Sequence, residues 1–300
     1  MFRNILYSIV AIFILAACNT KQTTNDTQAH IEGGLEHYVY KDSTDRVHIL
    51  IDVTVPTASD SASMLVRDSL LRVIDQEFAF DWENTRTMKA YNGEDKSLKA
   101  FIDYYGSNAL KELNEAAEED YKDRMQYLKE DTTITEKERQ ERIDETPLWE
   151  HESKIIKEYE TPKYTVYEHN TYQYLGGAHG GVGGCGSLTF NTTGKKITKF
   201  FVNGAEKGMQ KLLIKGLMSY FNENNGEKPL SEEEVREFLQ IDGNIIPLPV
   251  RNPYLSKDGV VLTYQQYEIA AYAAGMPSFT ITYKDILPFL TEEIKELIEK

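Results

Sequence analysis

The hydrophobic period of this 300-residue chain changes at Trp149, and that change limits the possible folds more than any other feature. Upstream, apolar residues recur mostly at helical spacing. Leu70, Ile74 and Phe78, beside Leu71, predict an amphipathic helix over about 61–79, with caps offered by Ser59-Asp60-Ser61. Leu98, Phe101, Ile102 and Tyr105, then Leu110 and Leu113, then Tyr121, Met125 and Leu128, predict helix through 96–130. One strand precedes them at 48–56, rich in β-branched residues and stopped by Pro56. From Trp149 the period is two. Residues 155–160 and 164–168 read as strands divided by Thr161-Pro162, and 171–174 continue toward a glycine-rich bend. Residues 187–190 and 195–198 flank Asn191-Thr192-Thr193-Gly194 as a hairpin. A helix over 205–224, a shorter one opened by the capping spacing of Ser231 and Glu234, strands near 260–264 and 279–283, and helical turns at 286–289 and 292–298 complete the chain. Hairpins joined by helices, without regular β-α-β alternation, predict an α+β fold: a largely antiparallel sheet with packed helices, in two adjoining subdomains.

The N-terminus carries a different signal. Arg3 supplies a positive start, Ile5 to Ala17 form a short apolar run, and Leu15-Ala16-Ala17 leads directly into Cys18. The run is shorter than the roughly 20 apolar residues that a bilayer-spanning helix needs. It reads as a secretory signal. A cysteine after Leu-Ala-Ala resembles the bacterial lipobox, which implies cleavage before Cys18 and lipid attachment to its sulfur. The expected organisation is a lipoprotein signal peptide at 1–17, a flexible tether at 18–34, an N-terminal α+β domain with a charged helical region at 35–150, and a C-terminal α+β domain at 151–300. The expected location is the bacterial cell envelope, outside the cytoplasm, with the lipid holding the chain to a membrane.

Charge narrows the partners. The formal net charge is −15, so the basic surface that nucleic-acid binding needs is missing. A cationic partner suits such a surface. The almost wholly polar stretch at 130–146 reads as a solvated helix or connection, with a partner-binding arm as the sharper possibility. Cys185 is the only cysteine besides Cys18, so no disulfide framework is expected. Within Gly183-Gly184-Cys185-Gly186 it reads as a small residue filling a tight glycine loop.

Candidate chemistry gathers in Tyr172-Gln173-Tyr174-Leu175-Gly176-Gly177-Ala178-His179-Gly180-Gly181-Val182-Gly183-Gly184. Glycine amides could hold an anion there, but the lysine and hydroxyl of a P-loop are absent. His179 could be a contact residue, a ligand-binding residue or a base. No HExxH or HxH spacing supports a zinc site, and no GxSxG supports a serine nucleophile. No catalytic residue, metal or cofactor is therefore assigned. The candidate binding residues are His179, Gly176, Gly177, Tyr174, Tyr267 and Tyr272; the tyrosines also suit a core role.

Tyr174-Leu175-Gly176-Gly177-Ala178-His179-Gly180, followed by Phe190-Asn191-Thr192-Thr193-Gly194-Lys195, resembles the opening of the RsiV-type C-terminal domain family. Leu262-Thr263-Tyr264-Gln265-Gln266-Tyr267-Glu268-Ile269-Ala270-Ala271-Tyr272-Ala273-Ala274-Gly275 resembles that family's later signature, with Ala271 where proline is common. The resemblance runs over about 165–290. More weakly, 48–79 resembles the N-terminal partner domain found in a PdaC-type peptidoglycan deacetylase. The family occurs in envelope proteins and in a lysozyme-sensing anti-sigma factor. It implies a non-catalytic module that binds a basic envelope protein such as lysozyme, or a peptidoglycan-derived ligand. A wall-active hydrolase centred on His179 and a structural assembly lipoprotein are the other two readings.

Overall fold

The computed structural model describes residues 29–57, 60–80, 83–177, 180–224 and 228–299. Cys18, the apolar run before it and the tether as far as residue 28 lie outside the described residues, and so does His179.

The chain opens with three antiparallel strands, β1 (Ala29–Glu32), β2 (Leu35–Ser43) and β3 (Val47–Pro56). Residues 29–34, assigned above to the tether, are therefore a strand and its turn: Ala29 stands opposite Tyr38 in a register that runs to Glu32 opposite Leu35. In β3, Val47, Ile49, Ile51, Val53 and Val55 are fully buried, while the residues between them are half-buried. That alternation is the signature of a strand with one face on a core.

The core face of β3 is covered by α1 (Ser61–Ala79) and α2 (Leu98–Glu130). Asp60 caps α1 by accepting from the amides of Ala62 and Ser63, and Leu70 and Ile74 are fully buried beneath it. On α2, Leu98, Ile102 and Tyr105 enter the same core. Gly106 lets α2 approach β2, since a Cβ there would sit 2.4 Å from the Tyr40 ring. The polar stretch becomes α3 (Glu136–Asp144), closed by a Thr135–Glu138 capping box, with no buried residue of its own.

β4 (Trp149–Glu160) then returns parallel to β3, Val47 standing opposite Trp149. The helices at 61–144 form the crossover that a parallel pair requires. The sheet continues antiparallel through β5 (Tyr164–Tyr174), β6 (Val182–Asn191) and the short β7 (Lys196–Ile197). Seven strands thus lie in sequence order in one sheet, and it crosses residue 150 without interruption.

α4 (Ala205–Asn224) and α5 (Glu232–Phe238) lead to a second antiparallel sheet of β8 (Tyr254–Leu255), β9 (Gly259–Thr263) and β10 (Ser278–Thr282). Helices α6 (Tyr283–Ile286) and α7 (Glu292–Ile298) close the chain. Met209, Leu213 and Leu217 of α4 pack with Val260, Leu262 and Ile281 as a second core. The two cores share β5: Tyr167 belongs to the first and Val166 to the second, because successive side chains of a strand leave on opposite faces. The fold is α+β, and among the described residues its one parallel pairing is β3 with β4. No described helix is long and apolar enough to cross a membrane.

Candidate functional site

Both motifs singled out in the sequence meet along one edge of β6. After Tyr174 the chain bends through Gly176 and Gly177, at φ +78° and +97°, a region open to glycine at little cost. The Tyr174 hydroxyl donates to the Gly177 carbonyl at 3.1 Å. The bend is shorter than the glycine content suggested. Val182 already begins β6, so Gly183, Gly184, Cys185 and Gly186 belong to a strand rather than to a loop.

β7 pairs with β6 only at Thr189 and Phe190, which leaves 182–186 without a strand on that side. Side chains take its place. The Gln265 amide accepts from the Cys185 N–H at 2.9 Å and donates to the Cys185 carbonyl at 2.8 Å, as a neighbouring strand would. Gln266 accepts from the Gly183 N–H at 2.7 Å. The Glu268 carboxylate fixes this loop, accepting from the backbone N–H of Gln265 and of Val250, both at 2.7 Å. Sequence reasoning named the aromatics of this segment as candidates and missed the glutamines. Their signal was two adjacent amides beside a strand end, which is common in surface loops.

The aromatics have separate roles. Tyr264 is fully buried and donates to the Pro247 carbonyl at 2.7 Å. Tyr272 donates to the Gly181 carbonyl at 2.6 Å, and a Cβ on Gly180 would lie 2.9 Å from its hydroxyl oxygen. Tyr267 is 55% exposed, has φ 63°, and its ring centroid lies 5.6 Å from that of Tyr272. A side chain in the left-handed region costs about 1 kcal/mol, and such residues gather at functional sites. Val182 and Val250 also expose apolar surface, at 54% and 77%. Gly275, at φ 69°, closes the short 3-10 turn at Tyr272–Ala274. The Tyr220 hydroxyl holds that turn through the Ala274 carbonyl at 2.9 Å, and Tyr220 also lines a cleft of about 370 Å³ between α4 and β10.

Cys185 is a poor nucleophile. Burial, reinforced by the Glu168 carboxylate 3.3 Å from its sulfur, pushes the thiol up to about 12, so it stays protonated at neutral pH.

A second polar cluster joins α1 to the sheet. Glu77 accepts from His151 Nε2 at 3.1 Å, His169 Nε2 at 2.8 Å and Ser153 Oγ at 2.6 Å. Burial alone would raise the Glu77 carboxyl, but hydrogen bonds from the two imidazoles outweigh it and hold the group at about 2. His151 stacks on Phe78 with centroids 4.4 Å apart. The cluster is not arranged as a hydrolytic triad. Ser153 Oγ and Glu77 both approach the same nitrogen, His169 Nε2, so the ring cannot take a proton from one while being oriented by the other. Ser153 is also fully buried. Among the described residues no group of three or more His, Cys, Asp or Glu is placed to hold a metal ion.

Against this geometry, residues 198–284 match the family described as "Protein of unknown function (DUF3298)". The match takes in α4, the second sheet and the Gln265–Tyr272 segment, and it begins after the glycine-rich strand. A DUF3298 family member from Bacteroides fragilis NCTC 9343 is similar in structure, with 18% identity and a TM-score of 0.60, over 93% of this chain and all of that one. A DUF3298 family protein from Pseudomonas aeruginosa PAO1 is similar at 15% identity and a TM-score of 0.51, over 87% and 95% of the two chains. Both likenesses are of fold alone. A comparison with curated proteins gave no match. Residues 198–284 thus match the DUF3298 model, on a fold shared with proteins described as DUF3298 family members.

Proposed function

We propose that this chain is a cell-envelope lipoprotein, anchored through Cys18, whose edge at Tyr267, Tyr272 and the glycine strand is a non-catalytic binding site for a peptidoglycan-derived ligand. The observation that carries this reading is Tyr267, whose ring stands exposed against Tyr272 on a left-handed backbone. Burial does not require that conformation, and a flat aromatic face with a polar edge is suited to a sugar ring or a peptide. Glu268, Gln265 and Gln266 hold the loop in place before a ligand arrives, which lowers the ordering cost of binding. The likeness of the Tyr174–Gly180 and Leu262–Gly275 motifs to the RsiV-type family supports recognition rather than catalysis.

The test is retention of the chain on immobilised peptidoglycan, with Tyr267→Ala beside wild type. Retention reduced about tenfold by the substitution, with unfolding temperature kept, is the expected result. Equal retention of both forms would remove Tyr267 from the site. A second arm uses immobilised lysozyme, because a net charge of −15 favours encounter with a basic protein. Capture there that is insensitive to Tyr267→Ala would place any protein partner elsewhere on the surface.

A further inference from the structure

Arg251 stands just before β8 and reaches back over the glycine strand. A Cβ on Gly184 would lie 2.8 Å from Arg251 Nη2, and one on Gly186 would lie 3.0 Å from Arg251 Cδ. Both glycines thus leave room for the arginine to lie flat across β6, where any larger residue would push it away. The hypothetical Gly184 Cβ is also 2.7 Å from Thr171 Oγ1, so the guanidinium and that hydroxyl flank one spot.

The arginine is partly buried there, yet among the described residues it donates to no carboxylate and no carbonyl. Thr171 Oγ1 is likewise without a partner among them. The acids in this neighbourhood are engaged elsewhere, Glu168 by the Cys185 thiol and Glu77 by Ser153 and His169. In a chain with 48 acidic residues, a seated guanidinium without an internal acid is a specific arrangement. Its planar N–H fork matches a carboxylate, and a hydroxyl beside it can donate to the same oxygens. The Tyr272 contact at Gly181, just before β6, lies three residues from Gly184, about 10 Å at strand rise, so a single small ligand can reach both.

We propose that Arg251, with Thr171 beside it, binds the carboxylate of a ligand docked over Gly184 and Gly186 on the face of β6. This deepens the binding reading above, supplying the anionic end of a ligand whose flat part lies on Tyr267. Peptidoglycan peptides end in carboxylates, and free phosphate offers related oxyanion chemistry, so the experiment must separate the two.

The full-length chain in detergent, uniformly ¹⁵N-labelled, is titrated with N-acetyl-alanine, N-acetyl-alaninamide and inorganic phosphate, following the Arg251 Nε–H resonance and the Thr171 and Gly184 amides. A saturable shift with the acid and none with the amide is the expected result, with phosphate at least tenfold weaker. Arg251→Gln abolishes the response of the neighbouring Thr171 and Gly184 amides to the acid. Arg251→Lys, which keeps the charge and loses the fork, weakens it about tenfold. Absence of a saturable shift with the acid, or an equal response to acid and amide, would overturn the proposal. A preference for phosphate would overturn the carboxylate assignment. Failure of the wider reading is distinguishable, because Tyr267→Ala leaves the N-acetyl-alanine response intact whether or not peptidoglycan is retained.

Discussion

Glu77 shows how one residue can be decisive and still invisible to pattern. In sequence it is one more acid on an amphipathic helix; in the structure it is the acceptor for three donors on two strands, His151 and Ser153 buried and His169 partly so. Removing it as Glu77→Ala leaves those donors unmet, and a loss of about 3 kcal/mol is expected in urea unfolding. Its carboxyl is held at about 2 when folded against an ordinary 4.5, so the shift is downward. The associated stability is present above about pH 4.5 and disappears as pH falls toward 2. It amounts to about 3 kcal/mol by linkage. Glu77→Gln should therefore flatten the acid limb of the stability profile over that window, and an unchanged limb would refute the assignment. Tyr267 makes the opposite case. Tyr267→Gly removes the left-handed penalty, so thermal unfolding should stay level or shift up by about 1 kcal/mol while peptidoglycan retention is lost. A fall in stability would make the tyrosine a structural residue.

At the scale of elements, α1 and α4 follow their apolar spacing closely, because amphipathic helices with caps declare themselves locally. The glycine segment does not. Glycines with a cysteine read as a loop, yet from Val182 they form a strand, because β5 pairs with them throughout and Gln265 and Gln266 supply the other side. Gln265→Ala removes both bonds to Cys185, and amide exchange at Cys185 should accelerate at least tenfold while Phe190 stays protected. Equal rates would mean that β5 alone holds the strand. Gly106 gives a second element-scale expectation. Alanine is normally the better helix former by up to about 1 kcal/mol. Here its methyl would press on the buried Tyr40 ring, and Gly106→Ala should destabilise by about 1–3 kcal/mol, read from the denaturant midpoint.

Across the whole molecule, two cores lie on opposite faces of one sheet, and the middle strands serve both. A boundary near residue 150 divides the helices well and the sheet badly, since β4 is hydrogen-bonded to β3 along Val47–Val53. A fragment of residues 149–299 would expose Ile155, Tyr167, Leu188 and Phe190, all part of the first core. It is expected to lack a cooperative thermal transition by near-ultraviolet circular dichroism; a sharp transition would show the C-terminal part to be an independent unit. The α+β class, the helices and most strands were legible from the sequence, because burial patterns of period two and 3.6 are local properties of the chain. The motifs also singled out Tyr267, Tyr272 and the glycines, which the structure sets near one another beside β6. Only the tertiary structure set β4 parallel to β3, placed Glu77 among residues 74 to 92 positions away, and laid Arg251 across Gly184 and Gly186. Those contacts depend on which faces meet, and no local pattern in a chain records its distant partners.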